Sequence, residues 1–426
     1  MIQTILNSFS VPDIRRKLLF TAAILALYRL GAYIPSPGVD AGAVEDGLDN
    51  VGGSGDILGF LNLFSGGSLG RLSLFALGIM PYITASIILQ LLTVVVPSLE
   101  RLQKEGEVGQ QKITQYTRYL TVGLAFAQSV GYVFLFTSNS FGGTSLIGER
   151  TFPKVFLVVI TLTAGCTVLM WMGELITQRG IGNGISLMIF ASIVASLPTG
   201  IQKWWTNPDQ VFIVMMPFIA LAVIVAIVFV QEGQRRIPVQ YAKRVVGRRM
   251  TAGGSTYLPL RVNMAGVIPV IFAASIMAFP PTLGQLAGGT GDNFWNDFAT
   301  FFAPDSWRYV VGEVFFIIIF TYFYTAVTFN PVDQADNLKK YGGFVPGVRP
   351  GRPTAEYLDR ILSRLTFPGA LFLGAVAALP TILISQTAAN FYFGGTSILI
   401  VVGVALDTVK QLEAQLMMRN YEGFLK

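Results

Sequence analysis

The side chains that most often carry chemistry are scarce in this chain. None of its 426 residues is His, which removes imidazole bases, Ser–His and Cys–His nucleophile pairs, and the commonest transition-metal ligand. Cys166 is the single cysteine and lies within an apolar block, so no disulfide framework exists within the chain. No Gly–Lys pair occurs, so a phosphate-binding loop of the Walker type is absent as well. The chain is therefore expected to be no enzyme, to hold no metal and to need no cofactor. Three other groups of residues remain that can act: two clusters of Arg and Lys, a few mild polar groups such as Thr84, Gln90 and Asn263, and recurrent Ile. Arginine pairs in forked fashion with phosphate or carboxylate. Isoleucine offers no hydrogen bond, but a narrow ring of aliphatic side chains dewets and blocks ions.

Those residues must be positioned by a membrane-embedded scaffold. The chain is 52% hydrophobic and only 13% charged, where a soluble protein carries about a quarter charged residues. Its apolar residues fall in blocks long enough to cross a ~30 Å hydrocarbon core. Ten spans are expected, near 18–34, 72–96, 119–137, 154–173, 183–197, 211–230, 263–283, 309–329, 365–383 and 396–416. The first block runs into ProSerPro with no small-residue cleavage site, which reads as a retained anchor. The fifth is short and glycine-led, as suits a helix packed inside protein.

Charge sets the orientation. Of 30 Lys and Arg, five (Arg71, Arg150, Lys154, Lys203 and Arg308) fall in external segments if the N-terminus is cytoplasmic, and Arg29 falls in the first span, which leaves 24 inside. The external segments hold ten acids, Asp40, Glu45, Asp46 and Asp49 among them. Both termini are therefore expected in the cytoplasm. Arg29 can snorkel to the outer interface and is given no role. Two cytoplasmic loops, 231–262 and 331–364, are unusually long and basic. The first carries Arg235, Arg236, Lys243, Arg244, Arg248, Arg249 and Arg261 against Glu232; the second carries Lys339, Lys340, Arg349, Arg352, Arg360 and Arg364. Loops of that length in a compact protein are functional or disordered. Attraction to anionic lipid heads explains their charge, but not their ordered Pro and Gly spacing.

Residues 56–97 are too long for one span. Ile57 to Phe64 reads as a short apolar half-helix stopped by Gly66 and Gly67. It either lines a protein-shielded cavity or lies on the outer surface as an amphipathic segment. An internal repeat accompanies it. GIMPYITA (78–85) matches GVIPVIFA (266–273), and GISLMI (184–189) matches GTSILI (395–400). Each match joins a span with the one five later, so the two halves, 1–197 and 198–426, would insert upside-down relative to each other. Such inverted repeats place a site at their interface and let one half rock against the other.

The longer motifs carry a family resemblance. FSGGSLGR (64–71), ALGIMPYITASIILQLL (76–92), RGIGNGIS (179–186), NMAGVIP (263–269), ADNLK (335–339), FVPGVRPG (344–351) and FGGTS (393–397) resemble the SecY family. Its members are the central subunit of the bacterial Sec protein-conducting channel, related to the eukaryotic Sec channel. The resemblance implies an all-α membrane protein of ten spans, in two inverted five-helix halves around a central pore. It makes Ile57, Leu58, Phe60, Leu61, Leu63, Phe64, Ser65, Gly66 and Gly67 part of a re-entrant plug. It implies a pore ring of Ile79, Ile83, Ile185, Ile189, Ile271 and Ile400, and a lateral gate with Thr84, Gln90 and Asn263 at its polar contacts. It assigns Arg349, with Lys243, Arg244, Arg248 and Arg249, to contact with the SecA motor or the ribosome and its rRNA. The further partners implied are SecE and SecG, signal sequences, nascent chains and anionic lipids, in the bacterial plasma membrane.

The expected function is thus a passive conduit for unfolded polypeptide with a sideways exit into lipid. The alternative is a secondary transporter built on the same repeat. That class usually needs charged residues at midplane for ion coupling, and here Glu313 and Asp407 are the main acids near a span, each toward one end.

Overall fold

A computed structural model describes residues 9, 11–39, 62, 65–137, 152–205, 210–241, 244–246, 249–251, 255–277, 301, 306–387 and 395–423. The chain folds as helices in sequence order: α1 (Pro12–Gly31), α2 (Met80–Val95), α3 (Pro97–Lys104), α4 (Glu107–Thr137), α5 (Phe152–Arg179), α6 (Gly184–Trp205) and α7 (Gln210–Glu232). After a β-ribbon come α8 (Ile268–Met277), α9 (Trp307–Thr328), α10 (Pro331–Lys340), α11 (Arg352–Thr387) and α12 (Gly395–Gly423). A helix lies over each of the ten expected spans. Alone, α5, α7, α11 and the run beginning with α9 are long and apolar enough to cross a bilayer.

Local chemistry explains the helix boundaries. Pro occupies the first turn of α1, α2, α3 and α10, where its missing N–H leaves nothing unpaired. Ser306 caps α9 by accepting from the Tyr309 N–H at 3.2 Å. Asn330 caps α10 in the same way through Val332 N–H at 3.0 Å. Each cap satisfies one donor that the helix cannot.

The second expected span needs correction. Residues 72–79 are not helical but run as turns, and α2 begins only at Met80. Pro81, which looks in the sequence like an interruption, is instead a start signal. Helix α2 then ends at Val96 and α3 turns away by 98°, a break set by Pro97.

The arrangement is inverted relative to a water-soluble protein. Phe218, Leu221, Val225 and Phe229 form an exposed apolar stripe along α7, at helical spacing and with nothing polar to suit water. Such a stripe suits lipid. The interior is apolar too. One cluster at the centre joins side chains of α1, α2, α5, α6, α7, α8, α9, α11 and α12. A second fixes the turns at 69–77 between α4 and α5.

The helical architecture carries one addition on loop 231–262. Strands β1 (Gln234–Tyr241) and β4 (Ser255–Arg261) pair antiparallel from Gln234↔Arg261 to Gln240↔Ser255. Between them, β2 (Arg244–Val246) pairs with β3 (Arg249–Thr251). The other edge of β1 is taken by β5 (Gly343–Phe344).

Candidate functional site

The internal repeat is visible as geometry. Gly78 has φ 59° and Gly266 φ 65°, a left-handed conformation that glycine adopts at little cost. Helices α2 and α8 begin two residues later in each case, with Pro81 and Pro269 as their second residues. The first-turn hydrogen bonds also match. Tyr82 and Ile83 N–H both donate to Ile79 O, at 3.1 and 3.2 Å; Val270 and Ile271 N–H both donate to Val267 O, at 3.1 and 3.2 Å. Ile83 and Ile271 therefore occupy equivalent positions one turn into equivalent helices. The second pair of matched motifs lies in the first turns given for α6 and α12.

All six isoleucines singled out in the sequence fall in the same central cluster. Ile79, Ile83, Ile189, Ile271 and Ile400 are at most 5% exposed, and Ile185 packs against them as a partly buried member. Gly173 of α5 shows how tightly the group is backed. A Cβ there would lie 3.6 Å from Ile185 and 3.7 Å from Ile79, so α5 walls both. The six side chains are all aliphatic. Side chains of this kind exclude water and bind nothing by hydrogen bond.

Among the described residues, no hydrogen bond of Thr84, Gln90 or Asn263 bridges helices. Thr84 Oγ1 donates to Met80 O of its own helix at 3.1 Å. The Asn263 amide donates to Gly266 O at 2.9 Å and so braces the turn into α8, while its buried Oδ1 has no partner. Gln90 is half buried on α2, and its backbone O accepts from Thr93 Oγ1. Among the described residues, the polar contact between α2 and α8 is instead the Ser275 hydroxyl donating to Met80 Sδ, at 3.9 Å.

Of the half-helix residues, Ser65, Gly66 and Gly67 are described; Ile57, Leu58, Phe60, Leu61, Leu63 and Phe64 lie outside the described residues. Asn62 ties the segment that follows into a compact turn. Its backbone O accepts from Gly67 N–H at 2.9 Å and its side-chain Oδ1 from Gly70 N–H at 2.9 Å. Arg29, left without a role in the sequence, reaches this turn and donates from Nη1 to Gly66 O at 2.8 Å. The signal that could have found it is a charged residue inside an apolar span, which by default marks function.

Sequence reasoning also missed a forked ion pair. Arg118 of α4 donates from Nε and Nη2 to the two carboxylate oxygens of Glu174 of α5, the first at 2.9 Å. The Glu174 side chain is 10% exposed and that of Arg118 43%. Two parallel charge-assisted bonds fix both the distance and the rotation of these helices.

The two basic loops form one body on the side of α7 and α9 where those helices end. Strand β5 of the second loop pairs with β1 of the first. Beneath them Ile237, Leu260, Val345, Leu358 and Ile361 make a separate apolar cluster with Phe329. Arg235, Arg236, Arg261 and Arg349 are exposed on this platform. Arg349 stands in a loop shaped by Gly347 and Gly351, with φ 82° and 102°, and its backbone O accepts from Thr354 Oγ1 at 2.8 Å. Arg244 and Arg249 lie on β2 and β3, whereas Lys243 and Arg248 lie outside the described residues.

Fold and central cluster together define a predominantly helical membrane protein. Comparison with known proteins gives the family: residues 73–409 match the SecY family model. The chain is 51% identical over 438 residues to the "Protein translocase subunit SecY" of Corynebacterium glutamicum, covering 99% of both chains. It is 50% identical over 441 residues to the protein of that name from Mycobacterium tuberculosis H37Rv, covering 100% of both. A solved structure described by the role of the SecY plug domain in stabilising the closed translocation channel and maintaining a membrane seal matches with TM-score 0.64 at 21% identity. That match covers 93% of this chain and 91% of the other. This chain belongs to the SecY family.

Proposed function

We propose that this chain is the pore-forming subunit of a bacterial protein translocase. It passes unfolded polypeptides across the plasma membrane and releases apolar segments sideways into lipid. The observation that carries the reading is the convergence of Ile79, Ile83, Ile185, Ile189, Ile271 and Ile400 on one apolar cluster, built from helix starts that repeat along the chain. In the proposed topology ten spans run with both termini cytoplasmic, the halves 1–197 and 198–426 are inverted, and α2 and α8 start at midplane from opposite sides. Branched aliphatic side chains close around a moving chain without hydrogen-bonding to it, so passage does not depend on sequence. Residues 56–68 form the plug on the outer side, a reading supported by the plug described for the structural neighbour.

The family is one of channel subunits, not catalysts, so the driving force comes from a partner. Arg349 and the exposed arginines of the platform receive SecA or the ribosome and its rRNA, because guanidinium groups pair in forked geometry with carboxylate or phosphate. Small membrane subunits of the SecE and SecG type complete the complex, and anionic lipids gather under the basic loops. A signal sequence is an apolar helix that gains free energy on entering lipid. It would leave between α2 and α4 on one side and α8 and α9 on the other. With Thr84 and Asn263 bonded within their own segments, that seam is held chiefly by packing and opens at low cost.

Crosslinking tests the constriction. In a Cys166→Ala background, Cys placed at Ile83 or Ile271 should react with a secretory chain stalled in transit, and Cys at Phe218 on the outward stripe should not. The opposite pattern would sink the proposal. For the platform, Arg349→Glu should abolish ATP-driven export while the variant still accumulates in the membrane at the parent level. Equal loss of accumulation would make Arg349 a structural residue.

A further inference from the structure

Three side chains from two helices close on the trailing turn of the proposed plug. The Tyr28 hydroxyl lies 3.3 Å from Ser65 O and 2.6 Å from Ser192 Oγ. Arg29 donates to Gly66 O at 2.8 Å. Tyr28 and Ser192 are at most 3% exposed. Gly66 is enclosed by the group: a Cβ there would lie 3.2 Å from Arg29 Nη1, 3.2 Å from the Ser192 Cα and 3.3 Å from the Tyr28 hydroxyl. Its φ of 67° disfavours any other residue as well. The Tyr28 ring is itself held by stacking on Phe75 at 5.9 Å, and Phe75 fills the space beside Gly31. Ser192 stands one turn beyond Ile189 on α6, the helix that also carries Ile185.

We propose that Tyr28, Arg29 and Ser192 are positioning residues for gating, a latch that clamps the backbone at Ser65–Gly66. The latch holds the plug's trailing turn against the helix that supplies two ring isoleucines. This rests on the channel reading above. The clamp grips the backbone carbonyls of Ser65 and Gly66, and moving α6 away from α1 takes Ser192 from the Tyr28 hydroxyl. A chain that splays the ring through α6 therefore loosens the plug in the same motion. The distances rank the contacts. The Arg29 bond is short and charge-assisted, whereas the Tyr28 to Ser65 contact is long and shares its hydroxyl with Ser192.

Resting ion conductance of the reconstituted complex in planar bilayers tests the latch, with Ile83→Gly/Ile271→Gly as a leaking reference. Arg29→Gln should raise resting conductance about tenfold, or ~1.4 kcal/mol for a charge-assisted bond, and Tyr28→Phe about threefold, or ~0.6 kcal/mol for a long, shared one. Arg29→Lys, which keeps a donor, should stay within about twofold of the parent. Ser192→Ala removes one hydroxyl from the opposite side and should match Tyr28→Phe; it serves if Arg29→Gln does not accumulate. A merely structural role would lower the thermal stability of these variants without moving conductance. Parent-level conductance in Tyr28→Phe and Ser192→Ala beside a leaking reference would overturn the latch alone. A reference that stays ion-tight would overturn the channel reading, and the latch with it.

Discussion

The starts of α2 and α8 are the same local device in different company. Each has a left-handed glycine, a proline in the first turn, paired hydrogen bonds to one carbonyl, and an isoleucine delivered to the centre. Upstream they part. Helix α2 is approached through turns 65–79, clamped by Tyr28 and Arg29. Helix α8 is approached through β4 and the Asn263 brace, directly from the basic platform. In the proposed channel the duplicated part fixes the constriction, and the unduplicated parts give each half its own attachment, one to the proposed plug and one to the proposed partner face. The halves are also tied differently. The first has the buried fork between Arg118 and Glu174. The second has Lys410 to Glu232 at 2.8 Å between α12 and α7, with side chains 25% and 44% exposed.

The largest expected difference between halves is in that tie. Arg118→Ala strands a buried carboxylate and should lower unfolding free energy in detergent by roughly 2–3 kcal/mol, less than for a fully buried pair because Arg118 is half exposed. Replacing both partners with Leu should recover most of the loss. A change near zero in Arg118→Ala would mean the fork is ornamental.

Next come the paired turns. Gly78→Val and Gly266→Val each force a branched residue into the left-handed region, and each should cost about 1–2 kcal/mol. Equal losses support equivalent geometry; tolerance of one alone would break the comparison. At the constriction, Ile83→Gly and Ile271→Gly taken singly should raise resting conductance by similar factors, each about threefold, or ~0.6 kcal/mol. A leak from one and not the other would show the ring to be lopsided. The smallest effect belongs to Lys410→Ala, at most ~0.5 kcal/mol, because a solvated ion pair contributes little.

Much of this was legible in the sequence because membrane insertion writes itself in long apolar blocks, and the repeat in its Gly and Pro spacing. The six isoleucines were legible only through the family resemblance, since one more Ile in an apolar span has no distinguishing mark. The start of α2 was misplaced because hydropathy does not distinguish helix from apolar turn; Gly78 with Pro81 carried the correct boundary. The β-ribbon was present as alternation, with Ile237 and Val239 inward on β1 and Leu258 and Leu260 alternating on β4, but was obscured by the charge around it. Arg29 and the Arg118–Glu174 fork depend on contacts across 37 and 56 residues, which no local pattern announces.

The pairing of β5 with β1 has a mechanical consequence. Two loops that are separate in sequence cannot be pushed separately, because a load on either passes through the shared sheet. It continues into α11, which rises from the platform as 36 unbroken residues, about 54 Å at 1.5 Å per residue. That is longer than the ~30 Å hydrocarbon core, so displacement of its platform end is carried along its length, with Pro368 and Gly369 as the place where it can bend. Helix α11 packs along α9, one wall of the proposed exit seam. In the proposed channel, a partner leaning on the platform would thus work a lever whose far arm lies beside the proposed exit seam.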